Sequence, residues 1–306
     1  MFFSLSTRWN AFQHSTGEAM IQEVLDLGFK HVELGYDLPP TFVPAVRKMV
    51  DGKAVTVNSV HAFCPMPYGM LQGHPELFSL ADPDRLVRES AVSHLDNTIR
   101  FAEEVGAPTV ILHGGNIAMR GLTRRMIELY EKGQQFSPAY EKTKVKLIIK
   151  RDKRARKHLD LLYSGIELLL PVLDETNVRL AFENTPSWES IPSESELAAL
   201  LKHFNSPHLG YWHDIGHGEI RRALGFVNPV RWLQELRDHL AGMHVHDLVK
   251  PASDHIMPPA GQIDFALYAP FAQLDIPAVF EPRPGLPAKD IVNARNLLAT
   301  VWGIRS

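Results

Sequence analysis

The chain has 306 residues, 45% of them apolar and 22% charged, with a formal net charge of -3 and one cysteine, Cys64. This balance excludes a disordered chain, an internal disulfide and a global attraction for nucleic acid or anionic membranes. No apolar run approaches the roughly 18 to 20 residues of a spanning helix, and the opening MFFSLSTRW lacks a signal peptide's basic n-region, so a cytoplasmic protein with no use for a membrane is expected.

Short apolar runs alternate with longer amphipathic segments, which argues for βα units and a parallel sheet. The first strand is predicted over Phe2–Ser6. Ser15 and Thr16 offer an N-cap with Glu18 in the first turn, and Gly28 stops that helix. Strands at His31–Tyr36 and Thr56–Phe63 follow. Asp82 and Pro83 open a helix that runs through Glu104 and ends at Gly106. The fourth strand is Thr109–Gly114.

From Asn116 to Asn177 the chain is too long for one crossover helix, so an excursion on the catalytic face is expected around Ile117–Ser137, within an insertion reaching about residue 160. Its second part, KTKVKLIIKRDKRARKH (Lys142–His158), is strongly basic. It reads as a solvated helix exterior or as a phosphate or nucleic-acid contact. The fifth strand is Arg179–Thr185, and Ser193 with Glu196 forms a capping box ahead of a helix over Leu197–Phe204. Strands at Leu209–Asp214, Gly242–Asp247 and Ala278–Pro282 bring the number to eight. Eight closes a barrel. The expected fold is α/β: a single domain over residues 1–306, a parallel eight-stranded (β/α)8 TIM barrel with an extended βα unit after the fourth strand.

Six of these runs end in a residue that can bind a metal: His61, His113, Glu183, Asp214, His244 and Glu281. In a parallel barrel the carboxyl ends of the strands form one face, where active sites sit. Alternate residues share a face of a strand, so Ser59 with His61, Ala181 with Glu183, and Val279 with Glu281 run inward together, and Glu33 obeys the same rule. A single buried histidine is more often a hydrogen-bonded core residue. Two glutamates, an aspartate and several histidines aimed at one region, however, need a cation to offset their burial. Imidazole and carboxylate donors without thiolate suit Mn, Zn, Co or Mg. Glu183, Asp214, His244 and Glu281 form the expected nucleus, open enough to polarise a carbonyl or stabilise an enediolate. His244 and His246 both face inward; His244 is the expected ligand with His246 touching substrate, and His246 is the alternative ligand with the nucleus shifted by one inward position.

Trp9, Phe63, Tyr68 and Trp188 lie beyond strand ends and read as sugar-stacking or as core aromatics. Arg283 reads as a substrate contact or as the ion-pair partner of a barrel carboxylate. Cys64 reads as a small apolar filler.

The series VELG, SVHAF, LHGG, FENT, HDIGH, MHVHD, GQIDF and FEPRP resembles the xylose-isomerase-like barrel superfamily from about Phe2 to Arg283. That group holds sugar isomerases and epimerases together with the endonuclease IV class of abasic-site nucleases (AP endonuclease family 2). The epimerase resemblance implies one divalent metal on Glu183, Asp214, His244 and Glu281. It also makes Glu183 and Glu281 the acid/base pair, exchanging protons through a metal-bound enediolate. The nuclease resemblance implies up to three zinc ions. His61, His113 and Glu183 would hold the first; Asp214, His244 and Glu281, with Glu183 bridging, the second; His217 and the Asp254–His255 region the third. Here Asp254 and His255 are adjacent, where the family separates them by one residue, and alignment on Gly261 pairs His255 with Ser253.

The expectation is a divalent-metal-dependent isomerase or epimerase acting on a sugar or sugar phosphate. His61, His113, His217 and His255 would serve a second metal or the substrate, and Glu33, His246, Trp188 and Arg283 would contact substrate. The alternatives are the abasic-site nuclease and a keto-sugar or inositol dehydratase or lyase on the same site. Nucleic acid is not the expected partner, and a homo-oligomer is left open.

Overall fold

The computed structural model describes residues 1–304. In chain order the strands are β1 (Phe2–Ser6), β2 (His31–Leu34), β3 (Thr56–His61), β4 (Thr109–Leu112), β5 (Arg179–Glu183), β6 (Leu209–Asp214) and β7 (Leu240–Val245). A two-stranded hairpin follows, β8 (Asp247–Val249) and β9 (Ser253–Ile256), and then β10 (Pro277–Phe280). All but the hairpin strands pair in parallel and close into an eight-stranded barrel in the order β1-β10-β7-β6-β5-β4-β3-β2. Around it lie α1 (Gly17–Asp26), α2 (Val43–Asp51), α3 (Arg85–Glu104), α4 (Leu122–Glu131), α5 (Pro138–Thr176), α6 (Glu194–Phe204), α7 (Ile215–Ala223), α8 (Pro229–Glu235) and α9 (Ala288–Trp302). This is the expected (β/α)8 TIM barrel.

Local chemistry explains most boundaries. Thr16 caps α1 by accepting the Ala19 N–H at 3.2 Å, and the Ser193–Glu196 capping box opens α6. α3 begins slightly later than expected, because Asp84 rather than Asp82 caps it, accepting from Leu86 N–H at 2.8 Å. Five strands stop two residues short of their predicted ends, at Leu34, His61, Leu112, Glu183 and Phe280. There the chain leaves the ladder and turns into the loops at the carboxyl-terminal face of the barrel.

Two differences are larger. The seventh strand begins at Leu240 and ends at Val245, and Asp247 belongs to the unpredicted hairpin. Asp247 is buried. Its carboxylate accepts N–H bonds from Leu248 (2.8 Å), Gly261 (2.8 Å) and Ile263 (3.0 Å), pinning the hairpin's return. The insertion is α4 followed by one 39-residue helix, α5. At 1.5 Å per residue α5 is about 58 Å long. Its second half packs Leu162, Ile166, Leu169 and Leu173 into the main core. Its first half leaves the barrel, and Tyr140 and Leu147 there form a separate cluster with Leu122, Met126 and Leu129 of α4 and Ile220 and Leu224 at the end of α7.

The interior of the barrel is a small apolar layer of Ile111, Ala181, Trp212, Ala241 and Val279. Trp212 fills its centre because Gly242 leaves it room: a Cβ there would come within 2.3 Å of the indole. Register does the rest. His244 is paired with Asp214 on β6 and with Val279 on β10, so the next inward residue after Val279, Glu281, stands one inward step nearer the carboxyl ends, and its carboxylate comes within 3.5 Å of His244 Nδ1.

Candidate metal centre

Glu183 is the hub of the site. Its Oε2 lies 3.1 Å from Nε2 of both His61 and His113. Its Oε1 lies 3.0 Å from His244 Nδ1 and 3.5 Å from His217 Nδ1. Glu281 Oε2 lies 3.3 Å from His255 Nε2 and 3.5 Å from His244 Nδ1. Asp214 Oδ2 faces His246 Nε2 at 3.0 Å and His217 Nδ1 at 3.4 Å. Asn184 clasps the Asp214 backbone: its Oδ1 accepts from Asp214 N–H at 2.8 Å, and its amide donates to Asp214 O at 2.9 Å. At the start of α7, Gly216 lets the helix pass within touching distance of His246, where a Cβ would clash at 2.0 Å.

The partners of each imidazole fix where its proton sits. His244 Nε2 lies 3.0 Å from Glu33 Oε2, and a carboxylate can only accept, so that nitrogen carries the hydrogen. Nδ1 is left facing Glu183, Glu281 and, at 3.8 Å, Asp214. A lone pair pointed at three carboxylates is untenable unless a proton or a cation lies between them. His61 behaves alike: Nδ1 donates to Ala62 O at 3.0 Å, leaving the Nε2 lone pair toward Glu183. His246 is the opposite case. Its Nδ1 accepts the backbone N–H of His255 at 3.1 Å, so Nε2 carries the hydrogen and donates to Asp214.

Burial and charge agree with this reading. Burial alone would raise the Glu183 carboxyl, but His244, His113 and His217 hold it well below the usual carboxylate range. Burial likewise favours a neutral Glu281, yet His244, His255 and Arg8 keep its carboxyl low. Burial depresses His113 and His255, but the carboxylates beside them win: Glu183 and Glu76 carry His113 up to about 9, and Asp254 and Glu281 carry His255 to about 10. Glu33, Glu281 and Glu183 similarly overcome burial to raise His244 well above its ordinary value. In the metal-free protein, protons on the histidines offset the carboxylates.

The ligand atoms of Glu183, Asp214, His244 and Glu281 lie within 4.8 Å of one another, and His61, His113 and Glu183 form a second such group. Both sets suit a divalent cation of the Mn, Co or Zn kind, because each presents buried oxygens with an inward imidazole lone pair. His217, His246 and His255 also cluster, but the His246 tautomer leaves that ring no free lone pair.

A cavity of about 360 Å³ opens above the cluster, with Glu183, Glu281, His61, His113, His217 and His255 in its floor and walls. Its outer wall holds residues that the sequence reading missed. Arg8 sends Nη1 to Glu281 Oε1 at 3.4 Å and stands over the Tyr36 ring. Asp37, pushed up to about 6 mainly by burial, and Glu76, 3.7 Å from His113, complete it. Arg8, Tyr36 and Asp37 follow strand ends, the position that singled out the histidines, whereas Glu76 stands in the long loop between β3 and α3.

Three expected substrate contacts lie elsewhere. Glu33 is fully buried behind His244, held by Ser59 Oγ at 2.9 Å. Trp188 stacks on Phe226 at 4.5 Å, with the guanidinium groups of Arg151 and Arg221 5.5 and 5.4 Å from its ring. Arg283 is exposed and lines a different hollow, beside Pro258 and Asp290. Trp9 is a core residue donating to Leu286 O at 2.8 Å, Phe63 packs edge-on against Phe78, and Tyr68 is largely exposed.

Known proteins share this architecture. The D-tagatose 3-epimerase-like protein superposes with a TM-score of 0.72 over 99% of this chain and 98% of its own, at 17% identity. The 3-keto-D-glucoside 4-epimerase YcjR from E. coli gives 0.70 over 98% and 99%, at 15% identity. L-ribulose 3-epimerase gives 0.71 over 98% and 94%, at 14% identity. In sequence the chain is 24% identical over 269 residues to the uncharacterized protein y4fM of Sinorhizobium fredii (strain NBRC 101917 / NGR234), covering 80% of this chain and 74% of that protein. A family model for the xylose isomerase-like TIM barrel matches residues 21–275, and the chain belongs to that family.

Proposed function

We propose that this protein is an isomerase or epimerase of a sugar or sugar derivative that removes a proton beside a carbonyl, using a divalent cation held by Glu183, Asp214, His244 and Glu281. The carrying observation is the pair Glu183 and Glu281. Both line the same cavity, both are buried, and both are kept ionised by neighbouring imidazoles. A carboxylate that stays ionised is ready to take a proton, and a second one nearby can return it. The cation would supply the charge stabilisation that an enediolate requires. Arg8 steadies Glu281, while Asp37, Glu76 and Tyr36 offer acceptors and a donor to the hydroxyls of a polyol. The sugar-epimerase names of the similar solved structures support the same reading. A dehydratase or lyase would share this first step and differ only in what the carbanion expels.

The test is deuterium wash-in. The Mn- or Co-loaded protein, incubated in deuterated water with a panel of ketoses and keto-sugars, should place deuterium at the carbon beside the carbonyl. Absence of exchange across the panel sinks the proposal. The single cysteine, a buried free thiol, supports a reducing cytoplasmic setting. Among the described residues no helix is long and apolar enough to cross a membrane.

A second reading, hydrolysis with two or more cations, is favoured by one observation: the convergence of His61 and His113 on Glu183. Metal content separates the two. One ion per chain fits proton transfer, and nicking of an abasic duplex by protein holding two or three fits hydrolysis.

A further inference from the structure

Residues 120–157 carry thirteen Arg and Lys against four Asp and Glu, so this stretch is +9 in a chain of -3 and the remainder is -12. The charge is ordered. Lys142, Lys146, Lys150 and Arg154 follow one another at i+4 along α5, and Lys153 and Lys157 add a fifth and sixth cation. None of these six has an ion-pair partner among the described residues. Elsewhere the chain uses the same spacing to pair opposite charges, as in Arg156–Asp160, Arg85–Glu89 and Arg231–Glu235. Like charges at i+4 weaken a helix, so the row is kept against its local cost.

Its placement points to a ligand. Leu147, Arg151, Ala155 and His158 form the buried face of this part of α5. From Lys142 the row drifts by about 40° per step at 3.6 residues per turn, away from the exposed aliphatic strip of Val145, Ile148 and Ile149. Its first half faces a groove of about 610 Å³, whose other wall carries Arg120, Arg124 and Arg125. The one carboxylate in that groove, Glu128, is shared between Arg124 (3.6 Å) and Arg125 (3.1 Å). The groove has fixed ends. Leu122 and Thr123 give their N–H groups to Glu189, while Arg151 binds Glu196 through two nitrogens at 2.6 and 2.7 Å and donates to Ser190 O at 2.9 Å. Ser190 lines the cavity over the metal centre, so the helix that carries the row is tied to the wall of that cavity.

We propose that this groove and ridge bind the phosphodiester backbone of a single-stranded nucleic acid. Successive cations rise about 6 Å along the helix, comparable with the separation of neighbouring phosphates in a stretched strand. Cations on two facing walls suit a strand, whereas a lipid plane cannot reach the floor of a groove and would need the aliphatics on the cationic face. No aromatic side chain lines the groove, so bases have nothing to stack on. Recognition is therefore electrostatic and indifferent to sequence. This surface is independent of the chemistry assigned to the metal centre.

The test is fluorescence anisotropy of labelled oligothymidylate with the intact chain. With about four phosphates engaged, affinity should fall roughly 50-fold between about 50 and about 200 mM salt. The variant K146E/K150E/R154E should bind at least about tenfold more weakly at the lower salt, with metal content and circular dichroism unchanged. If that variant folds poorly, K146Q/K150Q replaces it. No binding at low salt, or undiminished binding by the folded variant, overturns the proposal. So does flotation with phosphatidylserine vesicles in the absence of oligonucleotide binding, which would mark a lipid surface.

Discussion

His244 stands between two glutamates at equal distance, with Glu33 Oε2 3.0 Å from Nε2 on one side and Glu183 Oε1 3.0 Å from Nδ1 on the other. Only the second glutamate lines the cavity. The first lies behind the ring and sets its tautomer, an arrangement that orients a metal-binding histidine and raises its basicity. Glu33→Gln should therefore lower metal affinity by about 10- to 100-fold while leaving one ion per chain at saturation. Competition with a chelator measures the affinity. Unchanged affinity would mean that Glu33 serves something other than the metal.

The two histidines of MHVHD should separate under mutation. His244 offers a lone pair to the carboxylates, whereas His246 uses Nε2–H to hold Asp214 and Nδ1 to anchor the hairpin through His255 N–H. His244→Ala should lose the bound ion. His246→Gln keeps a donor in place and should retain the ion with weakened affinity, on the order of tenfold. The reverse result, loss only with His246→Gln, would move the ligand to the other ring.

In the proposed site, protons and metal would compete for the same imidazoles. Because the surrounding carboxylates hold His244 and His113 above their ordinary values, metal uptake at neutral pH must expel protons, and apparent affinity should rise with pH. In the metal-free protein the sign is opposite for stability. His113 at about 9 and His255 at about 10 lie above the unfolded value of 6.5. Their contribution is full below that value and disappears as pH rises through 9 to 10. The melting temperature of metal-free protein should thus fall over this interval, and bound Mn or Zn should flatten the fall. A flat profile without metal would show that the histidines are not charged.

The convergence was legible because it follows from two regularities, alternation along a strand and parallel closure of eight strands. Both hold for His61, Glu183, Asp214 and Glu281 with no knowledge of loops. The role of His246 was not legible, since it depends on a hairpin that brings His255 N–H back onto the ring, and the local cue in the sequence is a turn at Lys250-Pro251. Arg8 sits just past β1 and satisfies the strand-end rule, but arginine is not a metal ligand, so a pattern of ligands does not select it. The length of α5 was readable in a different way: after Pro138 only Gly165 and Pro171 interrupt the run to Thr176. Neither stopped it, because Leu162, Ile166, Leu169 and Leu173 bury one continuous face. Trp188 and Arg283 lie outside the lining of the cavity for a common reason. Proximity in sequence to a strand end does not fix which way a loop side chain turns.

Glu183 and Glu281 are both ligands and proton carriers in the proposed reaction, and their surroundings predict unequal consequences of substitution. Glu183 joins both groups of ligand atoms, whereas Glu281 belongs to one. Glu281→Gln keeps an oxygen for the cation and should retain the metal while losing about 10²- to 10⁴-fold in turnover. Glu183→Gln should lose comparable turnover and also disturb metal content, because His61, His113 and His244 all converge on its oxygens. Isotope exchange sharpens the distinction. If each glutamate serves one face of the substrate, each variant will still exchange deuterium into one epimer of a ketose but will not interconvert the two. Equal and complete loss of exchange from both epimers in both variants would instead mean that a single base does the work and the other glutamate only holds the ion.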